Sequence, residues 1–263
     1  MIIFTEKHAL KVYLSTLKAQ GKTIGFVPTM GALHQGHLSL IKQAQQKNDV
    51  VVVSIFVNDT KLLKGISCDV LFHPSVEEIY QENVVSENFD FDGLEHQMEG
   101  KFRDGHFNGV GTIVKTLFEI VEPDKAYFGQ KDFQQFQIIK KMVEKHQLNL
   151  KIKGCKIFRE KDGLAMSSRN TRLTKEYREI APFIYKTLKK AKKKFTTENV
   201  EKVNEWEENQ FKKEPLLELE YFTIADENTL ETINKKESGK KYRAFIAVFA
   251  GEIRLIDNIQ LKN

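Results

Sequence analysis

TIGFVPTMGALHQGHLSLIKQAQQKNDVVVVSIFVN, residues 23–58, decides the fold class. Two short apolar runs rich in Val and Ile, TIGFVPT (23–29) and DVVVVSIFVN (49–58), have the composition of strands buried on both faces, as in a parallel sheet. Between them HLSLIKQAQQK places Leu38, Ile41 and Ala44 near helical spacing. The stretch is therefore one strand–helix–strand unit. Its first loop carries two histidines, His34 and His37, with Gly31 and Gly36 around them. Imidazoles and glycines add little apolar burial, so the loop reads as backbone that approaches a ligand closely. In open parallel sheets ligands bind beyond the carboxyl ends of the strands. This loop also runs into a helix N-terminus, where exposed N–H groups and the helix dipole favour an anion.

The alternation continues. CDVLFHPS (68–75) reads as a third strand, GVGTIVKTLFEIV (109–121) as a helix with an apolar face, and KAYFG (125–129) as a short strand. DFQQFQIIKKMVEKH (132–146) is an amphipathic helix and NLKIKGCKIF (149–158) another strand. Strands alternating with helices predict an α/β fold with a doubly wound parallel sheet. After residue 158 the texture changes. REKDGLAMSSRNTRLT is polar, a long Lys-rich helical stretch runs to about residue 213, and three strands follow at LELEYFTIAD (217–226), KYRAFIAVF (241–249) and EIRLIDNI (252–259). The last two read as a hairpin turning around Ala250–Gly251. We expect a first domain over 1–158 and a second, smaller α+β domain over 159–263.

Composition bounds the function. A chain of 263 residues accommodates one large domain or two ordinary ones, and 41% hydrophobic with 29% charged residues is ordinary for a soluble globular protein. Its two cysteines, Cys68 and Cys155, imply no disulfide framework; both lie in or beside apolar runs and read as buried structural thiols, which suits a reducing cytoplasm. The beginning MIIFTEKHAL has no apolar core of signal-peptide length, and no segment approaches the roughly 20 apolar residues that span a bilayer. A cytoplasmic protein with no membrane partner is expected. The net charge of +5 suits anionic small molecules as well as nucleic acid. The densest basic run, LKKAKKKF (188–195), reads as the solvated face of a helix, so no nucleic-acid partner is expected.

Two more loops suit phosphate. FGQKDFQQ (128–135) again follows a strand and opens a helix: Gly129 allows close backbone approach, Lys131 supplies a point charge, Asp132 is a natural N-cap or metal partner, and Gln135 lies one turn into the helix. LAMSSRN (164–170) offers two hydroxyls and a guanidinium in a row. Neither the dinucleotide fingerprint GxGxxG nor the Walker pattern GxxxxGK[ST] is present in the histidine loop. Zinc at His34 and His37 would need a third protein ligand, and no HExxH pattern or CxxC pair supplies it, so no metal-ligating set is expected.

PTMGALHQGHLSLI, VVVSIFVN, RDGHFNGVGTIV, GQKDFQQ and DGLAMSSRN, spread over residues 24–170, together resemble the pantothenate synthetase (pantoate–β-alanine ligase) family. The closing LIDN hairpin is similar too, whereas HxGH alone would mark only the wider superfamily of nucleotidyltransferases and class I aminoacyl-tRNA synthetases. The resemblance implies a Rossmann-like N-terminal domain, a small lid-like C-terminal domain and a homodimer. It implies condensation of pantoate with β-alanine through a pantoyl adenylate, with ATP going to AMP and pyrophosphate and with Mg²⁺. Carried over residue by residue, the ATP contacts fall on Met30, Gly31, Ala32, Leu33, His34, Gln35, Gly36 and His37, on Gly129, Gln130, Lys131 and Asp132, and on Met166, Ser167, Ser168 and Arg169. A main-chain contact falls on Phe158, where the family usually has Val. Pantoate contacts fall on Met30 and Gln135, with Asn58 and His106 in the pocket. Asp104 replaces the proline of the family's RPGHF stretch. His37 takes the family's proton-donor role, with His34 and Lys131 beside it as catalytic residues. Two rival readings remain: another adenylyltransferase sharing HxGH, acting on phosphopantetheine or a nicotinamide nucleotide, and a non-catalytic nucleotide- or RNA-binding module.

At one place the chain departs from the family it resembles. After SIFVN the family continues with a Pro-Thr-Gln-Phe stretch whose glutamine binds pantoate, and then a helical segment; here Asn58 is followed by DTKLLKGIS and the strand CDVLFHPS. Two parallel strands need a crossover of about a dozen residues or more, usually with a helix. Asp59 to Ser67 are fewer than that. Either the connection is truly short, or a hidden segment lies between Asn58 and Lys61. The short span favours the second and predicts a break there, wider than the ~3.8 Å of one bonded Cα–Cα step. Intact mass spectrometry decides between them: 30.4 kDa means a true deletion, and a clearly heavier chain means a hidden loop carrying the glutamine.

Overall fold

The computed structural model describes residues 1–29, 31–56, 68–79 and 86–262. They form two compact units, one comprising residues 1–130 and 134–156, the other 131–133 and 157–263.

In the first unit the chain runs β1 (Ile2–Phe4), α1 (Lys7–Ala19), β2 (Ile24–Pro28), α2 (Gln35–Gln45), β3 (Val50–Ser54), β4 (Val70–Phe72), α3 (Val76–Ile79), α4 (His106–Val121), β5 (Lys125–Gly129), α5 (Phe133–Lys145) and β6 (Lys151–Cys155). Six strands make one sheet in the order β1-β4-β3-β2-β5-β6, every neighbouring pair parallel. This is the doubly wound α/β sheet read from the sequence. Phe26, Val27, Val51, Val52 and Val53 are fully buried, as strands covered on both faces require. Three aspartates tie down the strand starts. Asp49 accepts from the Thr23 N–H at 2.8 Å, Asp69 from Val51 N–H at 2.9 Å and Asp124 from Ile24 N–H at 2.6 Å. Each would otherwise leave a backbone donor of a neighbouring strand without a ladder partner. Strand β1 escapes the hydropathy pattern because it is a three-residue edge strand whose Ile2 and Ile3 are exposed.

The order reverses twice, at β2 and at β4. From β2 the chain steps outward through β3 and β4, and later returns to pair β5 on the other side of β2. The carboxyl ends of β2 and β5 therefore flank the switch point, where doubly wound sheets bind ligands.

In the second unit α6 (Lys175–Ile180), α7 (Phe183–Phe195) and α8 (Val200–Phe211) precede an antiparallel sheet of β7 (Glu218–Asp226), β8 (Tyr242–Ala250) and β9 (Ile253–Gln260), in that order. The helical stretch expected as one run is three helices. Pro182 interrupts it first, and Asn199 then caps α8 by accepting from Lys202 N–H at 2.9 Å. On α7 Ile184, Leu188, Ala191 and Phe195 enter the core while Lys189, Lys190 and Lys193 are exposed. Among the described residues no helix is long and apolar enough to cross a membrane.

Both thiols are buried. Burial pushes the Cys68 thiol up to about 12 and the Cys155 thiol up to about 11, so both stay protonated at neutral pH.

Helix α8 carries an anomaly. Val200, Val203, Glu207 and Phe211 lie on its buried face, which puts a carboxyl in a core-facing position. Burial raises Glu207 from 4.5 to about 7. The Thr187 hydroxyl beside it opposes this weakly, because it already donates to the Ile184 carbonyl at 2.9 Å. An acid raised in the folded state stabilises the fold fully below its unfolded pKa, and that contribution disappears as pH climbs through the folded pKa. Denaturant unfolding should therefore show stability falling between pH 4.5 and about 7, by up to roughly 3 kcal/mol. Glu207→Gln should flatten that window and be the more stable protein at pH 8.

Candidate functional site

Strand β2 ends at Pro28, and His34 caps helix α2 with extended backbone (φ −148°, ψ 173°). One turn later His37 returns to the cap: the His34 N–H donates to His37 Nδ1 at 3.3 Å, and the two rings stack with centroids 4.0 Å apart. A backbone donor on Nδ1 fixes the neutral tautomer of His37 with its proton on Nε2, the nitrogen able to donate onward. Leu33 and Leu38 are buried on either side and anchor the loop. A Cβ on Gly31 or on Gly129 would meet no atom within 4 Å, so neither glycine is there for packing. Adjacent strands thus present Gly31–His37 and Gly129–Gln130 at the switch point. Met30 and Asn58 lie outside the described residues, as does the stretch where a break was expected.

His106 opens α4 behind Gly105, whose φ of +70° favours glycine, and its ring tilts against Phe107 at 5.0 Å. The two glutamines at the start of α5 divide the work. Gln134 is buried and donates to the carbonyls of Leu94 (2.8 Å) and Gln97 (2.7 Å), while accepting from Glu99 N–H at 3.0 Å. It clamps the turns around 94–102. Gln135 is half-buried. Sequence reading had no signal to separate the two.

The second unit gathers the other expected residues. Arg159 and Ala165 form an antiparallel bridge, and Met166 N–H donates to the Phe158 carbonyl at 2.9 Å, so residues 158–166 fold back as a hairpin turning at Gly163 (φ +98°). This pairs Phe158 with Met166, two expected ATP contacts read from separate segments. Ser167 caps the following turn, its Oγ accepting from Arg169 N–H at 3.2 Å, and Arg169 Nη1 reaches the Arg254 carbonyl at 3.2 Å. A pocket of this unit is lined by Lys131, Ser167, Arg169, Asn170, Arg254 and Asp257. Lys131, far from the others in sequence, belongs to this unit, with its carbonyl bound by Asn258 Nδ2 at 2.8 Å. Three cations (Lys131, Arg169 and Arg254), a hydroxyl and the Asp257 carboxylate line this concavity, whose free volume of about 10 Å³ is that of a single water. Below them Asp257 is 3% exposed at its side chain and meets Arg159 with two bonds, 2.6 and 2.9 Å. Burial raises the Asp257 pKa; the Arg159 guanidinium and the Asn258 N–H at 2.7 Å pull it back. Arg159 also lies 3.5 Å over the Tyr185 ring. Sequence reading missed Arg159, Arg254 and Asp257, although RLIDN stands out as charge inside an apolar strand. Among the described residues no group of three or more His, Cys, Asp or Glu could hold a metal ion.

A family model described as pantoate-beta-alanine ligase matches residues 2–62 and 58–260. The two segments meet at 58–62, where the connection was read as short. The pantothenate synthetases of Christiangramia forsetii and Flavobacterium psychrophilum are 52% and 54% identical over alignments of 283 and 282 positions that take in all of both chains. The pantothenate synthetase structure from Thermus thermophilus superposes with a TM-score of 0.91 at 33% identity over the whole of both chains. The pantoate-beta-alanine ligase of Francisella tularensis, solved with beta-gamma ATP and beta-alanine, superposes with a TM-score of 0.78 at 35% identity, covering 99% of this chain and 97% of that one.

The Asp257–Arg159 pair predicts an asymmetry. Asp257→Asn leaves the guanidinium buried without its countercharge and should cost about 3 kcal/mol in urea unfolding. Replacing both partners with apolar residues, Asp257→Leu with Arg159→Met, should cost less than the single change.

Proposed function

The chain belongs to the pantoate-beta-alanine ligase family, and from that premise we propose how its residues join pantoate to β-alanine using ATP. ATP-dependent ligation of these two substrates is the activity that the family match and the ligand-bound relative support. The structural observation that supports the residue assignment is the clustering of Lys131, Ser167 and Arg169, from distant parts of the sequence, around one concavity of the second unit.

In the first step a pantoate carboxylate oxygen attacks the α-phosphorus of ATP. The bond from that phosphorus to the bridging oxygen breaks, pyrophosphate leaves, and pantoyl adenylate forms. Negative charge builds on the phosphoryl oxygens, and preorganised donors there lower the barrier. His37 Nε2–H, held in its tautomer by the His34 backbone, supplies one donor, and Lys131 supplies a cation. Ser167, Ser168 and Arg169 hold the departing pyrophosphate. The α2 N-terminus, from Gly31 through Gln35 and Gly36, and the Gly129–Asp132 turn cradle the nucleotide, with Phe158 and Met166 contributing backbone. Gln135, His106, Met30 and Asn58 line the pantoate side. In the second step the β-alanine amine attacks the anhydride carbonyl, AMP leaves with the acyl oxygen bond's electrons, and the amine's proton is released.

Mg²⁺ fits as a companion of ATP: it keeps waters and phosphate oxygens and needs only one or two carboxylates, for which exposed Asp132 beside Lys131 is the candidate. Bound there, it would neutralise phosphate charge. We further propose a lid-like role for residues 159–263, which keeps water from the anhydride, a homodimer, and a cytoplasmic location.

Formation of AMP from ATP when pantoate and β-alanine are both supplied tests the reading. It also separates it from an adenylyltransferase acting on another substrate and from a non-catalytic binding module. His37→Ala and Lys131→Ala should each lower turnover on the order of 10²–10³. Single-turnover measurements should place the loss in adenylate formation; normal adenylate formation in both variants would overturn the assignment.

A further inference from the structure

Residues 131–133 interrupt the first unit in sequence yet pack within the second. The reason lies on one face of the β7–β8–β9 sheet. Along β8, Ala244, Ile246 and Val248 enter the hydrophobic core of this unit, so alternation sends Arg243 and Phe245 to the opposite face. The register pairs Arg243 with Gln260 and Phe245 with Asn258, which puts Asn258 and Gln260 on that same face. There Asn258 Nδ2 donates to the Lys131 carbonyl at 2.8 Å, and the Phe133 ring meets Phe245 at 5.9 Å. The Arg243 guanidinium lies 4.0 Å over Phe133 and donates to Asn258 Oδ1 at 2.6 Å.

Arg243 is itself held. It is 6% exposed and donates from Nε to Glu227 Oε1 at 2.9 Å, and Gln260 donates to Glu227 Oε2 at 3.1 Å. Burying a guanidinium and a carboxylate carries a desolvation cost that well-packed apolar residues would avoid. The polar set fixes two things that an apolar face would leave free. With its oxygen turned to Arg243, the Asn258 amide has its NH₂ aimed at Lys131, and the stacked guanidinium sets the position of Phe133.

We propose that Asn258 and Arg243 are positioning residues for Lys131, a polar tether that holds the lysine in the same compact unit as Ser167 and Arg169. The tether rests on the reading of Lys131 as an ATP contact.

A double-mutant cycle read by ATP binding in calorimetry tests this. Asn258→Asp keeps the shape and the acceptor for Arg243 but removes the donor to Lys131. It should weaken ATP binding about tenfold while its melting temperature stays close to the parent's. In a Lys131→Ala background the same change should weaken binding by less than about twofold, because its effect passes through Lys131. Phe133→Leu, which removes the guanidinium stack and keeps an apolar side chain, should follow the same pattern and serves if Asn258→Asp does not fold. Equal losses in both backgrounds, or normal binding by the single variants, would overturn the tether. Because the cycle reads binding alone, its failure is distinct from failure of the parent to form AMP, which would overturn the proposed reaction.

Discussion

Strand β2 carries the rest of the first unit. It is paired on both sides by parallel strands, β3 and β5, whose connections leave in opposite directions. A parallel strand cannot be reached by a tight turn, so each neighbour demands a crossover, and the helices of those crossovers cover the sheet. Where their directions part, doubly wound sheets take ligands outside the carboxyl ends. The histidine loop and the Gly129–Gln130 turn begin there because β2 and β5 end there. The aspartates at the opposite edge serve the same frame, since they bind the strand-start N–H groups and leave the other edge for loops.

The second unit is organised by buried charge. Asp257–Arg159 and Glu227–Arg243 are tight pairs of this unit, and both are surrounded by further hydrogen bonds. Such pairs add little net stability, because desolvation offsets the attraction. What they contribute here is direction. Arg159 spans the hairpin that pairs Phe158 with Met166, and Arg243 orients the amide of Asn258. Glu207 is the contrast: a carboxyl in the same core without a cationic partner among the described residues, driven toward its neutral form. The unit tolerates that group only as far as the rest of its packing outweighs it.

Much of the molecule is legible in the sequence because local rules govern it. Continuous Val and Ile runs bounded by loops give the buried strands β2 and β3. The 3.6-residue spacing gives α2 and α5, and the Ala250–Gly251 turn gives the β8–β9 hairpin. The three phosphate-suited loops are legible for the same reason: glycines, hydroxyls and cations clustered at the ends of apolar runs are a chemistry that no core needs. Local rules failed where a feature was short or compensated. Edge strand β1 buries too little to show a pattern, and the Lys-rich stretch hid Pro182 and Asn199 as breaks within a continuous amphipathic texture.

What the sequence by itself determined, then, is the succession of strands and helices and the clusters of residue types suited to phosphate. Tertiary structure decided which of two adjacent glutamines turns inward: Gln134 does, because the carbonyls of Leu94 and Gln97 meet it there. It placed Glu207 in a core, where helical periodicity alone would predict a leucine or valine. It assigned Lys131 to the second unit through an amide 127 residues further along the chain. The physical reason is range. Hydropathy, propensity and turn chemistry act over a few residues and can be read in order. A hydrogen bond between Asn258 and the Lys131 carbonyl exists only after two strands have paired in register and turned one face toward the loop.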